Sequence, residues 1–329
     1  MFARSSIASK ADFAACSGCS LCLLVCPVWR KTRDLRYTPH GRAKALQHGV
    51  PVAELAPSIE SCTLCGACEP ACPENIDLVG TVLGLRRQLP LVAPVPMQTR
   101  RSTHAAEYAD QCVLLAGTAL RENHAARRRT LLLLGCTMAV DDGDDIALAL
   151  EAGAAIAESR LEEFLAPLRC ATALVVADGL LARAFRNWLP LMRVTSLGVA
   201  LSRRADLRRG LRADDLYVIE PRAFHCNHAR LVGHYDKLRI ETGCTMNLDL
   251  QRIAIPATAR NLRQRLGLEA PDDSEQTRWI LHERKIRRIV VESVEDITAF
   301  EQVCDLPVVP LVNLADLADD GNMKTETCS

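Results

Sequence analysis

The chain has 329 residues, which is enough for about two domains with a hydrophobic core each. Apolar residues make up 49% and charged residues 24%, and 40 Lys and Arg balance 40 Asp and Glu, which excludes a disordered chain and a strongly basic polyanion-binding protein. The longest apolar stretches, such as residues 131–140, are about half the length of a membrane-spanning helix, so no transmembrane segment is predicted.

Cysteine is the unusual residue type in this composition. The chain contains 15 cysteines, and their odd number and tight clustering favour metal ligation in a reducing compartment over a disulfide framework. Eight of them form two copies of the pattern C-x2-C-x2-C-x3-C-P, by which bacterial-type ferredoxins bind 4Fe-4S clusters. The first copy is Cys16, Cys19, Cys22 and Cys26, and the second is Cys62, Cys65, Cys68 and Cys72.

The spacing also predicts which cysteines share a cluster. In two-cluster ferredoxins the fourth cysteine of each motif binds the cluster of the other motif. We therefore assign the first 4Fe-4S cluster to Cys16, Cys19, Cys22 and Cys72, and the second to Cys62, Cys65, Cys68 and Cys26. Small residues such as Gly18 and Gly66 allow backbone N–H groups to approach the sulfurs.

Two other metal sites use closely spaced cysteines. A zinc site has two pairs of ligands separated by a longer loop, whereas here four cysteines lie within eleven residues, twice. A radical-SAM cluster uses the spacing C-x3-C-x2-C, which neither motif has. The predicted cofactors are therefore two 4Fe-4S clusters. No dinucleotide-binding or phosphate-binding motif accompanies them.

Residues 12–87 resemble a known family. Between the cysteine motifs stands Pro39-His40-Gly41-Arg42, and a helical pattern at residues 76–87 follows the second motif. In these features the chain is similar to the iron-sulfur subunits of glycolate oxidase, anaerobic glycerol-3-phosphate dehydrogenase and heterodisulfide reductase. The resemblance implies an α-helical ferredoxin domain with two 4Fe-4S clusters, to which we assign residues 1–97.

After this domain the pattern changes to that of an α/β protein. Pro90, Pro94 and Pro96 indicate a boundary near residue 97, followed by a connecting segment, residues 98–129, and an α/β domain, residues 130–329. Strands are predicted at 131–134, 174–177, 216–219, 289–292 and 308–311, and helices at 145–157, 180–188, 257–266 and 294–303. The predicted fold class is α+β multidomain, with an α/β domain of two similar halves that open at Leu131 and Leu216.

In the resembled family the C-terminal region carries repeats with adjacent cysteine pairs (Cys-Cys-Gly) that bind further clusters. This chain has no adjacent pair; Cys136, Cys170, Cys226 and Cys244 stand singly, so the repeats are degenerate and no catalytic residue is assigned. His225, Cys226, His228, His234 and Cys244 are all competent metal ligands, but their spacing matches no template. The alternative is that the single cysteines are buried hydrophobic residues. Cys112, Cys304 and Cys328 receive no assignment.

These observations predict an electron-transfer subunit. By resemblance, its partner is a flavoprotein dehydrogenase subunit or another redox protein, and its acceptor a quinone, reached through a membrane quinone-reactive subunit, or a redox protein. The α/β domain then serves as a docking platform. The alternative function is a catalytic, heterodisulfide-reductase-like subunit with thiol or metal chemistry at Cys136, Cys226 or Cys244. A structural role, with clusters that only stabilise the fold, is a third hypothesis.

Few aromatic residues and the absence of a nucleic-acid motif exclude nucleic acid as a partner. The N-terminal residues resemble no export signal, which favours the cytoplasm, with peripheral attachment at the inner membrane face only through a partner.

Overall fold

The computed structural model describes residues 13–97, 108–250, 252–257, 262–268, 272 and 274–315. The first of these segments is helical, with short 3-10 turns at Phe13–Ala15, Leu35–Tyr37 and Val52–Leu55. Its helices are α1 (Leu21–Leu24), α2 (Pro27–Thr32), α3 (Pro39–Gln47), α4 (Ala56–Glu60) and α5 (Leu78–Arg86). Ile59, Val79 and Val82 lie at the centre of its hydrophobic core, and several of the motif cysteines pack against that core.

Local sequence signals explain where these short helices begin. Helix α3 has Pro39 in its first turn, and the Thr38 side chain accepts a hydrogen bond from Gly41 N at 3.0 Å. The Asp77 side chain caps α5 in the same way, accepting from Gly80 N at 2.8 Å. Gly41 is required at its position, because a Cβ atom there would lie 1.9 Å from the Leu35 carbonyl oxygen.

The rest of the chain is mixed helix and sheet. Its elements in chain order are β1 (Cys112–Leu115), α6 (Gly117–Glu122), α7 (His124–Leu134), β2 (Thr137–Met138), α8 (Asp144–Ala152), α9 (Glu158–Leu168), β3 (Ala173–Val176), α10 (Gly179–Trp188), β4 (Val194–Ser196), α11 (Leu197–Ser202), α12 (Ala205–Arg209), β5 (Asp215–Val218), α13 (Pro221–Cys226), α14 (His228–Thr242), β6 (Thr245–Met246), β7 (Leu248–Asp249), β8 (Ile253–Ala254), α15 (Leu262–Arg265), α16 (Ser274–Leu281), β9 (Arg288–Val291), α17 (Asp296–Glu301) and β10 (Val308–Pro310).

Two parallel four-stranded sheets organise this part. Their strand orders are β2-β1-β3-β4 and β10-β9-β5-β6. If the strands of each sheet are numbered along the chain, the first sheet has the order 2-1-3-4, and the second sheet has the same order when it is taken from the β6 edge. Val113 pairs with Leu174 in the first sheet, and Leu216 pairs with Ile289 in the second. The central strands are almost continuously apolar because helices cover both faces of a parallel sheet. One hydrophobic core contains residues of both sheets, among them Val175 and Val290.

Two short sequences each occur twice in the chain, once in the region of each sheet. Gly-Cys-Thr-Met stands at residues 135–138 and again at 243–246. In both places the glycine ends a long helix with a positive φ, 60° at Gly135 and 73° at Gly243, and the Thr-Met pair forms the second strand. Asn-His-Ala stands at 123–125 and 227–229, where each of these two helices begins.

The predicted strand at 131–134 is wrong, because these four leucines end helix α7. Ala126, Thr130 and Leu133 are its buried positions, at helical spacing, whereas Leu132 is 62% exposed. The first strand is instead β1, which lies inside the segment assigned to the connector, so the first sheet begins before residue 130.

The other predicted strands are confirmed as β3, β5, β9 and β10, within one or two residues at their ends. The predicted helix at 180–188 is confirmed as α10. The helix predicted at 145–157 is α8, which ends earlier, at Ala152, because Gly153 adopts φ 76°. Helix α17 is shorter than predicted, and of the predicted helix 257–266 the structure shows Leu262–Arg265; residues 258–261 lie outside the described part.

Largely buried arginine side chains join the helical part to the α/β part through an ion pair and hydrogen bonds. Arg183 on α10 binds both carboxylate oxygens of Glu69 at 2.8 Å and also contacts Asp77. Arg222 on α13 binds the Glu151 carboxylate at 2.9 Å and donates to the Thr63 carbonyl oxygen at 2.8 Å. The side chain of Leu180 is buried in the core of the helical part. The two parts therefore pack through specific, largely dehydrated contacts.

Candidate iron-sulfur site

The first cysteine motif lies on a turning segment between short helices. Cys16 and Cys19 precede α1, Cys22 lies within it, and Cys26 is the residue before α2. Ser20 adopts φ 64°, which turns the chain directly after Cys19. Pro27 starts a new helix rather than extending α1. This path lets closely spaced cysteines point in different directions, as the corners of a cubane require.

The second motif occupies the turns between α4 and α5. Cys62 follows α4, and Cys65, Cys68 and Cys72 lie in successive turns. Gly66 adopts φ 75°, and a Cβ atom there would approach the His225 Cβ to 3.0 Å. Glycine therefore allows both the turn and the close contact with α13.

Four cysteines surround one small cavity: Cys16, Cys19, Cys22 and Cys72, which we call the first cysteine set. Burial raises the pKa of the Cys22 thiol to about 11. Coulombic repulsion from the other three thiols of the set acts in the same direction. Three members come from the first motif and one from the second.

The second cysteine set consists of Cys26, Cys62, Cys65 and Cys68. Burial raises the pKa of Cys65 to about 12 and that of Cys68 well above its usual range. For both thiols the repelling neighbours include Cys26 and Cys62. The raised pKa values of Cys65 and Cys68 mean that these thiols resist deprotonation unless a cationic centre compensates the charge, which iron supplies in a cluster.

The donor set fits a cubane. Each set offers four cysteine thiols, three from one motif and one from the other, and a cubane takes one thiolate at each of its four iron atoms. Among the described residues, no group of three or more His, Cys, Asp or Glu side chains is arranged to hold a single metal ion.

Residues that the sequence analysis missed hold the second motif in place. Arg86 donates to the carbonyl oxygens of Cys62 at 2.6 Å and of Ile59 and Glu60 at 3.2 Å. It also donates to the Glu151 carbonyl oxygen at 2.7 Å. The only signal in the sequence was an arginine at the end of a predicted helix, which does not distinguish this role from a solvated one.

His225 supports the second motif from the α/β part. Its Nε2 accepts a hydrogen bond from Ala254 N at 3.1 Å, so its Nδ1 carries the proton and donates to the Cys65 carbonyl oxygen at 2.7 Å. Burial lowers the pKa of His225 to about 3, so the ring is neutral. Both ring nitrogens are engaged, and His225 is not available as a metal ligand in this arrangement.

The other candidate ligands and cysteines are dispersed. His234 hydrogen-bonds Ser202, while Cys244 is buried at the start of β6 and accepts from Thr242 Oγ1 at 3.1 Å. Cys112 lies beside Cys136, with 2.7 Å between the sulfurs. Cys170 is exposed, Cys226 is partly buried at the end of α13, and Cys304 contacts the Phe300 carbonyl oxygen. Cys328 lies outside the described residues. The described residues therefore do not bring His225, Cys226, His228, His234 and Cys244 together as one metal-binding group.

The comparisons agree with the geometry of the cysteines. A family model described as a 4Fe-4S dicluster domain matches residues 12–76. Searches of curated proteins and of solved structures gave no match. The chain is an iron-sulfur protein, and electron transport is the function that its 4Fe-4S domain supports. Within the described residues, no helix is both long and apolar enough to cross a membrane.

Proposed function

We propose that the chain is an electron-transfer subunit with two 4Fe-4S clusters, one bound by the first cysteine set and the other by the second. The observation that carries the proposal is the distribution of the eight cysteines. Each set combines three cysteines of one motif with the fourth cysteine of the other. Such an exchange is typical of two-cluster ferredoxins and makes both motifs part of one folding unit.

Each cubane, when bound, takes up or releases one electron at a time. The chain itself contributes the environment of the clusters. Cys26 and Cys65 of the second set are buried, whereas Cys19 of the first set is exposed, so the first set lies closer to solvent. Exposure and hydrogen bonding are among the factors that set cluster potentials. The two clusters should therefore differ in potential and in access to partners.

In this proposal the α/β part consists of two similar halves. The shared strand order, the two Gly-Cys-Thr-Met segments and the two Asn-His-Ala segments support it. The ferredoxin domain corresponds to residues 1–97, and the first half of the α/β part starts with β1. Without adjacent cysteine pairs, its role is docking. The partner is a flavoprotein dehydrogenase or another redox protein, and the acceptor a quinone or redox protein.

A cysteine substitution tests both the clusters and their ligands. Anaerobically reconstituted Cys72→Ser should lose the cluster of the first set and keep the other, so that bound iron falls from about eight to about four per chain. Cys136→Ser is the matched control, since Cys136 belongs to neither set, and it should retain all the iron. If Cys72→Ser instead disrupts the cluster of Cys62, Cys65 and Cys68, the exchange of fourth ligands is refuted.

A further inference from the structure

A second cavity borders the second cysteine set. It has a volume of about 750 Å³ and lies between α2 and α16. Helix α2 follows Cys26 directly, and Ser61 and Thr63, which flank Cys62, also line the cavity. Its size falls in the range of small-molecule sites. A ligand bound here would therefore lie next to the chain segments that carry two of the proposed cluster ligands.

Aromatic side chains line this cavity, although the whole chain contains only three Trp and four Tyr. Trp29, Tyr37 and Trp279 all lie on its wall. The Trp279 ring is 51% exposed, with the Arg30 guanidinium carbon 4.9 Å from its centroid and the His282 ring nearly parallel to it. A concave surface with several aromatic rings favours a planar ligand.

The charge on the cavity wall is positive. Four cationic side chains line it, against one carboxylate, that of Glu275; the cations are Arg30, Lys31, Arg33 and Arg278. Arg30 forms an ion pair with Asp249, yet its Nη1 atom is buried and has no hydrogen-bond partner among the described residues. A buried donor without an acceptor is costly, and a ligand oxygen that reached this atom of Arg30 would satisfy it.

We propose that this cavity binds a planar aromatic anion with the chemistry of flavin mononucleotide, positioned to exchange electrons with the cluster of the second cysteine set. This inference rests on the proposed function, because the cluster is the electron donor. The reduced cluster of the second set transfers one electron to the flavin and is then re-reduced by the reduced cluster of the first set. A second transfer, together with two protons from solvent, completes the conversion of oxidised flavin to dihydroflavin. The net positive wall argues for an anionic ligand over a neutral ring of the same shape.

The test compares three probes on the full-length, anaerobically reconstituted protein by equilibrium dialysis. Flavin mononucleotide should bind at one site per chain, and riboflavin, which has the same ring system without the phosphate, should bind at least about tenfold more weakly. Equal affinity for both would refute the role of the cationic wall. Tighter binding of menadione, a neutral quinone, would overturn the proposed ligand class in favour of a quinone site.

Variants identify the cavity as the site of binding. Arg278→Ala removes an exposed lining cation and should weaken flavin mononucleotide binding about tenfold, whereas Arg209→Ala, an exposed arginine outside the cavity, should leave it unchanged. Trp279→Ala should weaken binding of flavin mononucleotide and of riboflavin alike, and Trp279→Phe should restore much of it because a ring remains.

Unchanged affinity in both Arg278→Ala and Trp279→Ala would place any binding elsewhere and refute the inference. Cluster content separates the two proposals. Protein that holds about eight irons but binds none of the three probes refutes only the cavity. Protein that forms no clusters refutes the proposed function.

Discussion

The buried carboxylate of Glu151 provides a quantitative test of the ion pairs that hold Arg222 in place between α8, α13 and the helical part. Glu151 lies on α8, has no exposed side-chain surface and forms ion pairs with Arg222 and Arg265. Arg222 in turn donates to the carbonyl oxygen of Thr63, beside Cys62. Glu151→Gln keeps the shape of the side chain and removes its charge, so two largely buried guanidinium groups lose their nearest carboxylate, although Arg265 keeps a contact with Asp178 at 3.6 Å.

The expected cost follows from the electrostatics. Burial alone would raise the pKa of Glu151, but the charges of Arg222, Arg265 and Arg86 lower it from 4.5 to about 2. At 1.36 kcal/mol per pKa unit, this shift corresponds to about 3 kcal/mol. Removing one partner of a buried ion pair typically costs about 3–5 kcal/mol, which is the same magnitude. Because the folded-state pKa is depressed, the stabilisation is fully present above pH 4.5 and decreases as the pH falls towards 2.

Anaerobic urea unfolding at pH 7, followed by circular dichroism, measures this effect. Glu151→Gln should lower the free energy of unfolding by about 3 kcal/mol. The control is Glu162→Gln, which removes an exposed ion pair with Arg169 and should leave the unfolding midpoint nearly unchanged. A loss below about 1 kcal/mol in Glu151→Gln would show that the ion pairs do not hold α8 and α13 together as described.

Three further changes test other parts of the structure. Gly41→Ala should prevent normal folding of the cysteine region and reduce bound iron, because the added methyl group meets the Leu35 carbonyl oxygen. The control is Gly84→Ala, whose added methyl group meets open space and should stabilise helix α5 by about 0.5–1 kcal/mol. Equal iron content in both variants would contradict the close contact at Gly41. Arg183→Met removes the cation that binds Glu69, whose carboxylate then keeps its hydrogen bond from Val79 N, and should lower the free energy of unfolding by about 3 kcal/mol in denaturant titrations. An unchanged midpoint would argue against this junction. In the same assay Leu133→Ala should lower the free energy of unfolding by about 2–5 kcal/mol because Leu133 is buried, and Leu132→Lys by less than about 0.5 kcal/mol because Leu132 is exposed. The reverse order would refute the helical assignment of residues 131–134.

Local patterns in the sequence predicted some elements correctly and misled at one point. Strands β3, β5 and β9 are short apolar runs between turn residues, and such runs are recognisable without tertiary information. The four leucines at 131–134 look the same in sequence. They form a helix because Asn123 caps the start of α7 and the helical spacing of its buried residues, Ala126, Thr130 and Leu133, extends into the leucine run.

Some features could not be predicted from local patterns. The roles of Arg86, Glu151 and His225 depend on contacts between residues that are 24 to 160 positions apart. The repeated Gly-Cys-Thr-Met segment was visible in the sequence and would have placed the second strand of each sheet correctly. The grouping of the eight cysteines into two ligand sets was predicted from the exchange of fourth ligands in two-cluster ferredoxins, and it stays a prediction that the Cys72→Ser variant tests.

The iron and acid-labile sulfide content of the wild-type chain, purified without air and measured together with zinc, tests the central claim most directly. Two 4Fe-4S clusters predict about eight iron and about eight sulfide per chain, no zinc, and an EPR signal that develops on reduction with dithionite. A colourless protein that contains stoichiometric zinc, or one with iron but no sulfide, would contradict it.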